Sequence, residues 1–489
     1  MILFRLNALK LHILFYFIVA AGLARLLSFP FYPLMDTTEA RYAEIARIMV
    51  ETGDLVTPWF DYGVPFWGKP PLSFWITAAS FKLFGINEFA ARFPHWLAGL
   101  LVVWIVWGMP ALRDHKEKLF VSALLVGAAL FYVSAGMVMT DMALVLGTTL
   151  IMRGFWGALF GDPSISRRES CLIFVGLTIG LLAKGPIAVV LSAAPLGLWV
   201  LFTGHIKLTW QRIPWVWGLV FSMLLTMPWY VLAEVRTPGF INYFIVGEHF
   251  QRFITPGWKG DLYGKAHQNP YGTIWLYYLA NVLPWTVLLP VIAWESRKDS
   301  RKDSSRSAPA DRQDKLFFWY FLLWGIMPAV FFTFAGNIVW AYVLPGIPAL
   351  AIICGRWLAG LSMENKIRHY LQGGLVFTSL LAWGFIISVP LSNRDDERSA
   401  KPLVQRYQAI QVVGEPLIYF GVRPFSAAFY TQGKAQEIKE ERELQARLAN
   451  PSSFFLAVET GKAKRFPKEW LDQLEPVAVH GFYSLYKKK

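Results

Sequence analysis

The sequence predicts a polytopic α-helical membrane protein with a small C-terminal α/β domain, and three observations lead there. Of 489 residues, 55% are hydrophobic and only 16% charged, with 22 Trp and 38 Phe; a soluble chain of that length would form roughly two to four domains with a more charged surface. Apolar runs of about 18–22 residues recur from end to end, the length that crosses about 30 Å of hydrocarbon. Beyond residue 390 those runs stop, and short helix-like and strand-like stretches alternate.

Taken in order, crossing segments are expected at residues 10–29, 90–112, 119–138, 141–160, 171–184, 186–203, 213–233, 273–293, 316–335, 339–360 and 369–390. The first follows Arg5 and Lys10 and lacks a convincing small-x-small cleavage site, so it reads as a retained signal-anchor. Segment 71–85 is also apolar, yet a helix of that length reaches only about 22 Å. Charge decides its place. The Ser/Asp-rich linker Ser296–Lys315 holds Arg297, Lys298, Arg301, Lys302, Arg306, Arg312 and Lys315, which puts it in the cytoplasm. Arg113, Lys116 and Lys118, the Arg167-Arg168 pair, Lys207 with Arg212, and Lys366 with Arg368 follow the same rule. All of these agree with a cytoplasmic N-terminus only if 71–85 lies along the outer interface as a juxtamembrane helix. Eleven crossings result, with the C-terminus outside.

This topology sends loop 30–89, Asp141, the Lys184-Gly185-Pro186 corner, loop 234–272, the Gly336–Tyr342 turn and the tail to one face. The transmembrane domain is expected over 1–390 and the α/β domain over 391–489. The net charge of +14 sits in short segments between spans, so it reports membrane orientation rather than nucleic-acid binding. The two cysteines, Cys171 and Cys354, each lie in an apolar run, and no disulfide framework or zinc motif follows.

Chemistry-bearing residues collect on the outer loops. Asp36 and Glu39 open a helical run in the spacing of a capping box, an arrangement worth about 1 kcal/mol. A carboxylate there also suits proton acceptance from an acceptor group. Lys69, before Pro70 and Pro71, is either an interfacial lysine reaching headgroups or a point cation aimed at a phosphate. Arg41 and Arg252 pose the same choice, in loops where positive charge is disfavoured. Asp141 at the mouth of a span calls for a partner, with Arg41 or Lys184 within reach of the topology. His249 beside Glu248 is the one metal-ligand candidate, and a divalent ion stays open as an alternative to no cofactor.

Taken together, Thr38-Glu-Ala-Arg-Tyr-Ala-Glu-Ile-Ala-Arg47, Gly53-Asp54 with Pro58, Lys69-Pro-Pro, Thr140-Asp141, Lys184-Gly-Pro, Pro228-Trp229, Glu248-His-Phe-Gln-Arg-Phe253, Leu283-Pro-Trp285 and Tyr342-Val-Leu-Pro345 resemble the GT-C membrane glycosyltransferases. The likeness covers nearly all of residues 10–360. It is nearest to the bacterial branch of 4-amino-4-deoxy-L-arabinose lipid A transferases, related to protein O-mannosyltransferases. The resemblance implies an inverting transfer of a sugar from an undecaprenyl-phosphate donor to lipid A or another surface glycan, on the periplasmic face of a bacterial inner membrane. Carried over by position, Arg41, Tyr42, Lys69, Arg252 and Tyr342 would hold the lipid phosphate, Asp36 or Glu39 would act as the carboxylate, and Asp141 would shape the pocket. Three positions depart from the pattern. Thr38 stands where the family has an Asp, Gly68 where a Glu often precedes the Lys-Pro, and the turn before Tyr342 lacks its usual Lys. The rival readings are a protein O-glycosyltransferase of the same fold and, from another class, a transporter or lipid flippase. Transporters favour mid-bilayer charges and repeats.

Overall fold

The computed structural model describes residues 2–264, 266–300, 312–361, 369–378, 380, 384, 398–412 and 414–489. Most of the basic linker 296–315, Lys366 with Arg368, part of the last expected span and the boundary at 390 lie outside these residues. Among them, six helices are long and apolar enough to cross a membrane: Leu11–Phe31, Glu88–Trp107, Asp141–Phe160, Trp215–Arg236, Gln313–Phe332 and Trp340–Gly360. A pair bent by 78°, Thr273–Asn281 with Trp285–Trp294, makes a seventh if counted as one span. The chain is a multi-pass membrane protein.

The other expected crossings take forms that local chemistry explains. Segment 119–138 divides into α5 (His115–Gly127) and α6 (Ala129–Ser134), then an irregular stretch to Thr140. Segment 273–293 bends at Pro284, which has no N–H to continue the helical ladder. Segment 171–184 extends back to Ser166 as α8 (Ser166–Lys184), whose first turn carries Arg167, Arg168 and Glu169. Segment 186–203 becomes α9 (Ile187–Thr203), of 17 residues. The segment expected to lie flat is α3 (Leu72–Phe84), whose 13 residues are too short to cross. It packs between α2 (Thr38–Thr52) and α4 (Glu88–Trp107).

Close helix packing rests on small residues. A Cβ on Gly147 of α7 (Asp141–Phe160) would stand 2.7 Å from the Gly176 carbonyl and 2.9 Å from Gly180 N on α8. Backbones approach at that distance only where side chains are absent.

The C-terminal module holds five strands in the order β4-β3-β5-β7-β6: β3 (Leu417–Phe420), β4 (Gln436–Ile438), β5 (Phe455–Glu459), β6 (Leu474–His480) and β7 (Tyr483–Lys488). β3 pairs in parallel with β4 and β5, while β7 runs antiparallel to β5 and β6. All four β3 residues are buried, because apolar side chains alternate onto two covered faces. Leu417 and Tyr419 join Leu403 and Phe455 on one face; Ile418 and Phe420 join Leu444, Leu448 and Leu456 on the other. The module docks on the first outer loop. Phe429, from the short helix Phe425–Tyr430, is buried with residues of α2 and α3.

Candidate functional site

α2 presents the first outer loop, but not through the capping box its spacing suggests. The helix begins at Thr38, with Thr37 at the N-cap and no side-chain cap bond. Asp36 lies one residue too early and turns to the C-terminal module, where its carboxylate accepts from Ser426 N at 3.1 Å and from the Ser426 hydroxyl. Glu39 does accept from Met35 N at 3.3 Å. Its main partner is Arg92 of α4, at 2.9 Å from Nε and 2.7 Å from Nη2. A buried guanidinium outcompetes a cap, since an unpaired charge there would cost several kcal/mol.

The remaining candidates converge on a second carboxylate. A π-helix, Asn242–Gln251, faces Glu248 toward Lys69, whose Nζ stands 3.1 Å from Oε2. Arg252 Nη1 bonds both Glu248 oxygens, at 3.0 and 3.1 Å, and lies 3.4 Å from Asp261. Tyr42 and Tyr342 stand within electrostatic reach of Lys69, and Tyr342 also of Arg252. Behind Tyr342, Lys184 Nζ lies 5.1 Å from its ring centre and pairs with Asp141 at 2.5 Å. The Lys184 corner is fixed by Gly185, which has φ 78° and whose Cβ would meet the Phe244 ring at 2.6 Å. The structure therefore resolves the partner of Asp141 as Lys184.

Arg41 approaches the same face along an aromatic wall. Its Nη1 donates to the Tyr263 carbonyl at 2.5 Å, and its guanidinium lies 5.3, 5.8 and 6.0 Å from the rings of Tyr42, Phe66 and Phe425. The Tyr263 hydroxyl takes a bond from Trp67 N and gives one to the Pro65 carbonyl, tying this wall to the strand before Lys69. Asp36 and Glu39 share no hydrogen bond with the Lys69–Glu248–Arg252 group.

Electrostatics separates the carboxylates. Burial pushes Glu248 up, but Lys69 and Arg252 outweigh it and hold the carboxyl at about 2. Burial pulls Lys69 down, but Glu248 keeps its ammonium above the ordinary lysine value. Asp36 has no such cation, so burial raises it to about 6 against the bonds from Ser426. The Nε atoms of Arg41 and Arg252 are both buried without a hydrogen-bond partner. An unmet buried donor costs about 1–3 kcal/mol, so each of these cations is suited to meet an anion.

His249, the metal-ligand candidate, is held by its own helix. Its Nδ1 engages the Phe244 carbonyl at 2.7 Å, and its ring packs edge-on to Phe244, with centroids 4.7 Å apart. Among the described residues no three His, Cys, Asp or Glu side chains converge on one point. Gly68 stands before Lys69, so that position supplies no carboxylate.

Several residues escaped the sequence reading. Arg92 lies inside an expected span, and an intramembrane cation is a signal of a buried partner. Asn337 donates to the carbonyls of Arg252 (2.6 Å) and Thr255 (2.7 Å) and accepts from Gly257 N at 2.9 Å, pinning the loop that follows Arg252. Nothing in the local sequence pairs residues about eighty apart.

Residues 13–244 match the family described as dolichyl-phosphate-mannose-protein mannosyltransferase. Similar curated proteins include the undecaprenyl phosphate-alpha-4-amino-4-deoxy-L-arabinose arabinosyl transferase of Aeromonas salmonicida, 30% identical over 366 residues, covering 72% of this chain and 62% of that protein. That of Erwinia tasmaniensis is 30% identical over 332 residues, 65% of this chain and 54% of the relative. The chain thus spans about three fifths of the length of the curated relatives it matches. The crystal structure of ArnT from Cupriavidus metallidurans bound to undecaprenyl phosphate superposes with a TM-score of 0.77 at 20% identity, covering 96% of this chain and 97% of that one. The fold is the GT-C fold, and in sequence the chain is similar to the 4-amino-4-deoxy-L-arabinose transferases.

Proposed function

We propose that this chain is an inverting glycosyltransferase that moves a sugar from an undecaprenyl-phosphate-linked donor to lipid A or another surface glycan. The reaction takes place at the periplasmic face of a bacterial inner membrane. The N-terminus lies in the cytoplasm, residues 1–390 form the catalytic membrane domain, and the C-terminal module 391–489 stands in the periplasm. The observation that carries this reading is the meeting of Lys69 and Arg252 at Glu248 beside Tyr42 and Tyr342, with Arg41 against the Tyr42 ring and two guanidinium nitrogens buried and unmatched. The printed activity of the curated relatives supports it.

Cleaving a sugar–phosphate bond leaves negative charge on the departing lipid phosphate. Fixed cations at that point stabilise the transition state more than the ground state. Lys69 contributes a point charge, while Arg41 and Arg252 orient the oxygens with planar donors. Glu248 keeps Lys69 and Arg252 charged and aligned before the donor arrives. Asp141 holds Lys184 against Tyr342. Glu39 is closed onto Arg92, which leaves Asp36 as the first-loop carboxylate able to accept a proton or steady the cation-like sugar carbon.

The test is mass spectrometry of lipid A and glycolipids from cells with and without the gene, paired with transfer by purified protein from an undecaprenyl-phosphate sugar. Loss of one sugar substituent in the deletion strain is expected. An unchanged glycan profile with altered uptake of a solute would replace this reading by transport.

A further inference from the structure

Two consecutive residues of the C-terminal module touch the two first-loop residues on which the proposed chemistry depends. The Phe425 ring lies 6.0 Å from the Arg41 guanidinium carbon and 5.1 Å from Phe60, which in turn stacks on Phe66. Ser426 bonds the Asp36 carboxylate through both its backbone N–H and its hydroxyl. The same hydroxyl accepts from Ala400 N at 2.8 Å, so its direction is set from within the module. Asp36 N in turn donates to the Arg398 carbonyl at 2.8 Å.

The surrounding contacts keep this pair in place. The Tyr430 hydroxyl accepts from Leu34 N at 2.8 Å and bonds Glu88 at 2.9 Å, and Lys401 pairs with Glu88 at 2.5 Å. Arg423 pairs with Asp61 at 2.6 Å on the hairpin formed by Trp59–Asp61 and Val64–Pro65. Phe429 fills the apolar core of the first loop. The module therefore grips the loop on both sides of Arg41, through residues before α2 and through the hairpin after it.

We propose that Phe425 and Ser426 are positioning residues supplied by the C-terminal module: Phe425 sets the direction of the Arg41 guanidinium and Ser426 that of the Asp36 carboxylate. This rests on the function proposed above. The aromatic faces of Tyr42, Phe66 and Phe425 limit the guanidinium to orientations between them, which a flexible side chain alone would not keep. The two Ser426 donors fix both carboxylate oxygens, so Asp36 is held at a defined angle in a poorly solvated place.

The experiment uses the full-length protein in detergent micelles, with binding of radiolabelled undecaprenyl phosphate and steady-state transfer measured side by side. Phe425→Leu keeps bulk but removes the π face, whereas Phe425→Tyr keeps both. We expect Phe425→Leu to weaken lipid phosphate binding and raise the donor KM about fivefold to tenfold, with Phe425→Tyr staying within about twofold of the parent. Ser426→Ala should lower kcat about tenfold at unchanged donor KM, with Ser426→Thr restoring most of it. Should Phe425→Leu fail to accumulate in the membrane, Phe425→Ile makes the same comparison. Equal effects of the leucine and tyrosine variants, or a serine variant that shifts only thermal stability, overturn the positioning role. A parent protein that binds no undecaprenyl phosphate overturns the function itself, and the two failures are told apart by the parent measurement.

Discussion

Two arginines of this chain, the buried Arg92 and the half-buried Arg252, are each paired with a glutamate and lead opposite lives. Arg92 uses all five of its N–H groups: Nε and Nη2 bond Glu39, while Nη1 and Nη2 also bond the carbonyls of Phe29, Tyr32 and Pro33. It also lies over the Tyr32 ring at 3.7 Å. Arg252 bonds Glu248 through Nη1 alone, and its Nε is buried and unmatched. Both are ion pairs by distance, so distance does not separate a structural pair from one prepared for a ligand. The inventory of unmet donors does.

The comparison breaks most sharply at the saturated pair. Arg92→Ala should strand Glu39 and three carbonyls in an apolar interior, a loss of about 3–5 kcal/mol that empties the membrane fraction of folded protein. Thermal unfolding in detergent and membrane abundance check it, and a normally folded variant would mean the pair is not structural. Lys69→Met should do the reverse. Glu248 keeps Arg252, so the thermal midpoint should stay close to the parent while transfer falls at least about a hundredfold. Retained activity would remove Lys69 from the phosphate group.

A milder substitution sharpens the same point. Arg252→Lys preserves charge but not the planar fork, so the donor KM should rise about tenfold while kcat falls less. An unchanged KM would show that Arg252 serves Glu248 only.

The smallest effect concerns Asp36. A carboxyl raised by burial to about 6 holds its proton more tightly folded than unfolded. Its contribution to stability therefore grows as pH falls from above 6, is complete below the ordinary aspartate value near about 4, and is lost as pH rises through 6. Asp36→Asn removes the charge that is costly at neutral pH and keeps an oxygen for Ser426 N. Its thermal midpoint should exceed the parent's by a few degrees (~2–4 °C) at pH 7.5, and the gap should narrow at pH 4.5. A lower midpoint at pH 7.5 would mean the ionised form is favoured in the fold.

Much of this was legible in the sequence. Lys69, Arg252, Tyr42 and Tyr342, singled out from motif order, do lie near one another. Asp141 was marked as an acid needing a partner, with Lys184 among its options. The capping box failed for a different reason. Local spacing at Asp36 and Glu39 was right for a cap, but Arg92 and Ser426 offered stronger bonds from residues 53 and 390 positions away. Two expected spans changed outline where Pro284 and the stretch after Ser134 interrupt apolar runs that composition alone reads as continuous.

The sequence by itself determined that the chain crosses a membrane several times, and that 71–85 is apolar but shorter than a normal span. Those are matters of length, hydropathy and charge, which sum over neighbouring residues. Only the tertiary structure decided which carboxylate each cation takes, and that the C-terminal module seats Ser426 and Phe425 against Asp36 and Arg41. Such choices depend on hydrogen-bond geometry over a few ångströms between residues remote in the chain, and no local sum contains them.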